Sequence, residues 1–448
     1  MSEIENAVPY PIFHEPVFAE DKATHDPTAF LTDHPSDTAL YKQVDDLLKK
    51  QVVGFEKSRI GPDQLFTLEE AYGPRGKDVV KKISDAGRIV FHAIGDSGST
   101  SEGKQYQDEL AVTDQLTMDC NVTEVANRPS FLLHLGDVVY DFGEAQYYYD
   151  QFYEPFRDYP APIFAIPGNH DSFVLPNTPA GQTPLDTFSR NFCSQTLVIT
   201  PEAGSLHRTA MTQPGVYYAL DMPFVRVLCL FSNALEDPGV ISSDGGNWPD
   251  VPDFQLEFLE AQLQKIKDED YKGAVLIAVH HPPFSYAPST SVKGAGGSHG
   301  CSTAMLRQID TICKKVGVYP HAFLSGHAHN YQRYTRTVEM DGKSFDVPFI
   351  VCGDGGHHVN RIVRARRGSS TEEPHFGIDV SYLDVKPAIN AKGVMLEKYN
   401  DQGYGYLRIS ADKDQVAIGF HLVGQTSLAQ SRFDKVTVDL ASHEMIAN

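Results

Sequence analysis

From residue 88 onward the chain is a series of short apolar runs, each stopped abruptly by glycine or polar residues. They read RIVFHAIGD (88–96), FLLHLGD (131–137), APIFAIPGN (161–169), VRVLCLFSN (225–233), AVLIAVHHP (274–282), AFLSGHAH (322–329) and PFIVCGDGG (348–356). Runs of this length, rich in β-branched residues and without polar alternation, are strands covered on both faces. Between them lie segments with helical spacing. One is 253–267, with Phe254, Leu256, Phe258, Leu259, Leu263 and Ile266; another is 302–315, with Met305, Leu306, Ile309 and Ile312. Such alternation predicts an α/β fold with extensive strand pairing in its interior. Strand-like pieces at 405–410, 416–423 and 435–440 are expected to add antiparallel edge strands.

The first 87 residues follow a different pattern. Up to Asp37 the chain is rich in Pro, His and acidic residues without periodicity, which predicts an extended arm. Leu40, Val44, Leu47, Leu48, Val52 and Phe55 recur at helical spacing. Thr67 and Glu70 form a capping-box pattern, and a helix from Lys77 to Ala86 is expected to end at Gly87. We therefore expect an N-terminal helical and irregular extension over 1–87, with a single domain over 88–448, since no linker interrupts the strand runs.

Composition narrows the function classes. With 41% hydrophobic and 22% charged residues the chain can bury a large core. Its 59 acidic against 38 basic residues give a formal charge of −21, which opposes non-specific nucleic-acid binding. No stretch supplies the roughly 20 apolar residues of a bilayer-spanning helix, so no membrane partner is expected. The N-terminus lacks a basic region leading into an apolar one, which makes a cytoplasmic setting the default; a processed periplasmic or secreted form would read the same. Cys120, Cys193, Cys229, Cys301, Cys313 and Cys352 are scattered without CxxC pairs, and form neither a zinc motif nor a small disulfide scaffold.

Nearly every strand run ends in a metal-competent side chain, and in open α/β sheets ligands bind at the carboxyl ends of strands. Asp96 ends the first run and Asp137 the second. Asn169 and His170 follow the third, His280 ends another, and GHAH supplies His327 and His329. Singly, each has a plain explanation. A GDSG is more often a turn stabilised by Asp than a ligand site, and histidines before two prolines can be satisfied strand-end residues. The two imidazoles of GHAH are sharper, because on an extended segment they point the same way. Together and in this order, at successive strand ends, turns and chance are a poor explanation.

As an ensemble, GDSG, GDVVY, GNHD, AVHH and GHAH resemble the five motif blocks of the purple acid phosphatases, within the calcineurin-like metallophosphoesterases, over roughly residues 88–356. The resemblance implies a four-layer α/β/β/α sandwich with a dinuclear centre on loops at one sheet edge, and makes 88–448 the catalytic domain. By position it implies Asp96, Asp137, Tyr140 and His329 around Fe(III), and Asp137 as bridge with Asn169, His280 and His327 around a divalent ion (Fe, Zn or Mn). Hard oxygen donors suit ferric iron, and the nitrogen-richer set suits a divalent metal. Tyr140 is the residue that separates this family from metallophosphoesterases at large. The implied activity is hydrolysis of small phosphate monoesters, releasing inorganic phosphate, by a metal-activated hydroxide. The two ions outweigh the charge of two carboxylates and a phenolate, leaving a cationic pocket in an acidic chain.

By the same resemblance His170 orients substrate or protonates the leaving alkoxide, and His299, in SHG, matches the outer histidine of the mammalian-type enzymes. HHPPFS follows an H-x-P pattern that places His280 on the metal and His281 beside it. Arg333 either supports the GHAH loop or contacts phosphate. Arg361, Arg364, Arg366 and Arg367 read as a solvated basic loop, and 171–213 exceeds ordinary loop lengths and is expected to shape the pocket mouth. The alternatives are a phosphodiesterase of the same superfamily and a non-catalytic phosphate-binding protein. Oligomeric state is not legible in the sequence.

Overall fold

The structure, a computed structural model, describes residues 52–99, 104–140, 142–174, 182–236, 238–285, 303–360, 378–379, 394–425 and 427–446. The expected arm up to Asp37 and the helical pattern from Leu40 to Leu48 lie outside these residues. Among the described residues the strands are β1 (Phe66–Thr67), β2 (Arg88–Ile94), β3 (Leu132–His134), β4 (Ile163–Ala165), β5 (Tyr218–Met222), β6 (Val225–Leu230), β7 (Ala274–Val279) and β8 (Ala322–Ser325). They continue with β9 (Tyr331–Met340), β10 (Lys343–Cys352), β11 (Ile378–Asp379), β12 (Val394–Asn400), β13 (Gly405–Asp412), β14 (Gln415–Leu422), β15 (Arg432–Asp439) and β16 (Met445–Ile446).

They form two sheets, a nine-stranded one in the order β1-β5-β6-β7-β8-β10-β9-β12-β11 and a seven-stranded one in the order β16-β15-β14-β13-β2-β3-β4. β2, β3 and β4 run parallel, as do β6, β7, β8 and β10, while the tail strands β13 to β16 pair antiparallel as expected. The sheets face each other over one continuous apolar core. Phe66 meets Phe164 edge-on at 5.9 Å, and Tyr331 stacks on Phe420 at 4.0 Å. Burying rings like these stabilises by about 1.5–3 kcal/mol each, and the ring–ring geometry adds about 0.5–1.5 kcal/mol.

Helices cover both outer faces. The Phe254–Asp268 helix buries Phe258, Leu259, Leu263 and Ile266, packing on β6 and on the Thr303–Val316 helix. The Gly76–Ala86 helix packs on β2, and the Lys104–Asp119 helix on β13. The result is the mixed α/β, two-sheet architecture expected from the sequence. Thr67 and Glu70 do form a capping box, and Gly87 closes the helix at φ 70°.

Two expectations are corrected. Val52 and Phe55 are not helical. Instead Val53 pairs both backbone groups with the Asn233 side chain (2.8 and 3.0 Å), and Phe55 packs edge-on against Tyr217, Phe231 and Phe254. Paired β-branched valines followed by Gly54 favour that extended course over a helix. The segment 171–213 is not one long loop: it carries the Asp186–Phe192 helix, and Phe188 and Phe192 are buried in the core, while 175–181 lie outside the described residues. The described cysteines, all of the six except Cys301, are free.

Candidate metal centre

The carboxyl ends of β2, β3, β4, β7 and β8 meet at one edge, where the two sheets are stitched together. Gly95 N donates to Cys352 O (3.0 Å) and Gly355 N to Gly95 O (3.1 Å) across the sheets, while bonds from Asp96 N to Gly136 O (2.9 Å) and from Gly326 N to His280 O (3.0 Å) tie neighbouring turns within each sheet. The turns there are unusually tight. Asp96, Asp137 and His327 adopt φ values of 59°, 54° and 67°, a region uncommon for residues with a Cβ and concentrated at functional sites. Neighbouring glycines make room. A Cβ on Gly136 would lie 2.4 Å from His280 Nδ1, and one on Gly168 only 2.1 Å from Asp137 Oδ1.

These turns bring Asp96, Asp137, Tyr140, Asn169, His280, His327 and His329 together, all buried. Tyr140 Oη is a hub, 3.1 Å from Asp96 Oδ1, from Asp137 Oδ2 and from His329 Nε2. Asn169 Oδ1 lies 3.0 Å from His280 Nε2 and 3.1 Å from His327 Nδ1. Asp137 Oδ2 joins the two groups, 3.2 Å from His280 Nε2. Asp137, His280 and His327 offer ligand atoms that all lie within 4.8 Å of one another. His327 and His329 do not share the extended strand expected for GHAH. They follow β8 in a turn, and the left-handed backbone at His327 sends the two rings to different halves of the cluster.

The donor inventory fits a cation. Leu135 O can only accept, so His280 Nδ1 (2.8 Å away) carries a proton and a neutral His280 turns the Nε2 lone pair toward two oxygen acceptors. Tyr140 likewise has one proton to offer to two carboxylate oxygens. Burial, and then the charge of Asp137, push Asp96 well above the carboxylate range, and burial with both carboxylates does the same to the Tyr140 phenol. Burial opposes charge on His280, but Asp137 and Asp96 raise it to about 9.

His281 packs its ring on that of His327 at 4.2 Å but directs its nitrogens elsewhere. Its Nε2 meets Leu235 O (2.7 Å) and its Nδ1 meets Ser232 Oγ (2.7 Å), so both nitrogens are engaged and His280 alone of the pair turns a nitrogen into the cluster. His170 is buried beside the cluster, its ring 4.3 Å from that of Tyr140 and its backbone N–H donating to Asp137 Oδ1 (2.9 Å). Arg333 is taken up by Asp434 on β15 through two contacts (2.6 and 3.1 Å), a tie between the two sheets. His299 and Arg361, Arg364, Arg366 and Arg367 lie outside the described residues.

Other residues at the cluster were not singled out from sequence. Asp171 accepts from Gly168 N (2.8 Å), Val138 N (2.9 Å) and Val139 N (3.1 Å), binding the GDVVY and GNHD turns to each other. His357 stacks flat on Tyr140 at 3.7 Å, and His358 Nε2 lies 3.1 Å from His329 Nδ1. Asp171 and the histidines stand inside visible motifs, GNHD and GDGGHH, so a signal existed. Glu236, whose Oε2 accepts from Asn169 Nδ2 (3.1 Å), stands in none.

The buried cluster of carboxylate, phenol, amide and imidazole donors at the strand ends of this two-sheet α/β scaffold is a set of side chains able to hold metal ions. The family model described as calcineurin-like phosphoesterase matches residues 89–331, and the chain belongs to that family. No curated protein matches the chain in sequence. Among solved structures it is similar to a purple acid phosphatase, PPD1, from yellow lupin (Lupinus luteus) seeds, at 15% identity and a TM-score of 0.48 over 79% of this chain and 54% of that one. It spans about half the length of the lupin enzyme. It is also similar to PhoD (11% identity, TM-score 0.46, 80% of this chain and 71% of that one). A third is GAP50 of Plasmodium, described as the anchor in the inner membrane complex (10%, 0.46, 76% and 86%).

Proposed function

We propose that the chain hydrolyses phosphate monoesters at a dinuclear centre of the purple acid phosphatase kind. Asp96, Asp137, Tyr140 and His329 would hold Fe(III), and Asp137, Asn169, His280 and His327 a divalent ion (Fe, Zn or Mn). The observation that carries this reading is the Tyr140 phenol oxygen, equidistant at 3.1 Å from two carboxylates and an imidazole. Phenolate is a hard anionic ligand suited to ferric iron.

When bound, such a pair supplies Lewis acidity toward phosphoryl oxygens and a water of lowered pKa. The chain's own residues do the rest. Leu135 O fixes the His280 tautomer, so that Nε2 faces inward. Asp171 holds the two ligand turns in register. His170, whose ring lies 4.3 Å from that of Tyr140, would donate a proton to the leaving alkoxide as general acid. The net charge of −21 keeps long polyanions away and leaves small phosphoesters as the substrate class.

Initial rates on an aryl monophosphate and a bis-aryl phosphate test the reading. A higher kcat/KM for the monoester, abolished by Asp137→Asn, is expected. A preference for the diester would move the assignment to a phosphodiesterase, and phosphate release that survives Asp137→Asn would contradict both.

A further inference from the structure

A carboxamide presents two nearly isosteric ends, and only its oxygen can ligate a metal. Something must therefore decide which end of Asn169 faces His280 and His327. In this chain Glu236 does. Its carboxylate can only accept, so the Asn169 NH2 must point at Oε2 (3.1 Å), and Oδ1 is left 3.0 Å from His280 Nε2 and 3.1 Å from His327 Nδ1.

Glu236 is delivered by the loop that follows β6, and that loop is held at several points. Ser232 Oγ meets His281 Nδ1 (2.7 Å) and accepts from His281 N (3.1 Å), while Leu235 O meets His281 Nε2 (2.7 Å). Asn233, at φ 69°, accepts from Val53 N (2.8 Å) and donates to Val53 O (3.0 Å), an anchor 180 residues away in sequence. One loop thus grips His281, the neighbour of His280, and also Asn169. Its carboxylate adds negative charge beside a half of the cluster in which Asp137 is the one carboxylate among the proposed ligands.

From this geometry we propose that Glu236 is a positioning residue for the Asn169–His280–His327 half of the centre: it fixes the Asn169 amide with its oxygen inward and raises the affinity of that half for a divalent cation. The proposal rests on the dinuclear reading above. Calorimetric titration of metal-stripped full-length chain with Zn²⁺ tests it, with thermal unfolding of the stripped proteins as control.

Wild type is expected to bind two equivalents. In Glu236→Ala one equivalent should weaken by about 10–100-fold, the range typical of lost outer partners of metal ligands, with the other unchanged and the Tm of the stripped protein preserved. Glu236→Gln, whose carbonyl can still accept from Asn169, should recover most of the loss. Two equivalents bound by Glu236→Ala as tightly as by wild type would overturn the proposal and leave the dinuclear reading standing. So would equal weakening of both equivalents with a lowered Tm, the mark of a merely structural role. A wild-type chain that binds no Zn²⁺ would overturn the dinuclear reading and the proposal together.

Discussion

At His280 and His281 two identical side chains stand next to each other, and the partner of each ring nitrogen separates them. His280 spends one nitrogen on Leu135 O and turns the other toward Asp137 and Asn169, whereas His281 spends both on Ser232 and Leu235. Burial and the charge of His280 push His281 down to about 3, so it stays neutral at ordinary pH. His280→Ala is therefore expected to lose one metal equivalent that excess metal does not restore. His281→Ala should keep both under saturating metal, but take from the buried Ser232 hydroxyl and Leu235 carbonyl their imidazole partner, lowering stability by about 2 kcal/mol. Metal analysis together with denaturant titration checks both. The H-x-P register in the sequence pointed to this division, and Tyr140 was legible through the family resemblance of GDVVY. Glu236 was not, because it lies in NALED with no motif around it, and its role exists only once a loop 67 residues from Asn169 has closed on it.

At the scale of the element, the turns after the strands carry the design. Their glycines are not interchangeable with those that end helices. Gly168 lies against Asp137 Oδ1, while Gly87 terminates a helix in the left-handed region with open space around it. Ala at Gly87 is expected to cost about 1–2 kcal/mol of backbone strain and nothing in metal binding. Ala at Gly168 should cost about 1–3 kcal/mol of overpacking and also displace Asp137, with loss of metal. Thermal unfolding paired with metal content distinguishes the two; a Gly168→Ala protein with full metal would contradict the packing argument. Strands that end in these turns were readable because they are apolar throughout. β9 was harder to read, since YQRYTRTVEM carries charges on both sides of its alternation. Its Arg333 and Arg336 are neutralised by Asp434 and Asp310, partners that local sequence does not reveal.

For the molecule as a whole, buried titratable groups set the pH range in which the fold is held. Burial pushes His321 down to about 4, and burial with the nearby His321 pushes His443 down to about 3, from an ordinary value of 6.5. The unfolded chain takes up protons that the folded one refuses, so their contribution to stability is complete above about pH 6.5 and shrinks as pH falls. Buried Asp354, raised to about 8 by burial, acts in the opposite sense, its contribution shrinking as pH rises. A difference between proteins isolates the histidine part. His443→Asn, which tolerates the left-handed backbone at that position, should lose less Tm between pH 7 and pH 5 than wild type does. Equal losses would contradict the burial argument.

The centre itself is most directly tested by the visible absorption spectrum of concentrated protein as purified, read with its metal content. Tyrosinate on Fe(III) gives a charge-transfer band, so a purple protein with iron and a second metal is expected, and Tyr140→Phe should lose the band. Two filled metal sites with no such band, or a band that survives Tyr140→Phe, would contradict the assignment of Tyr140 to ferric iron.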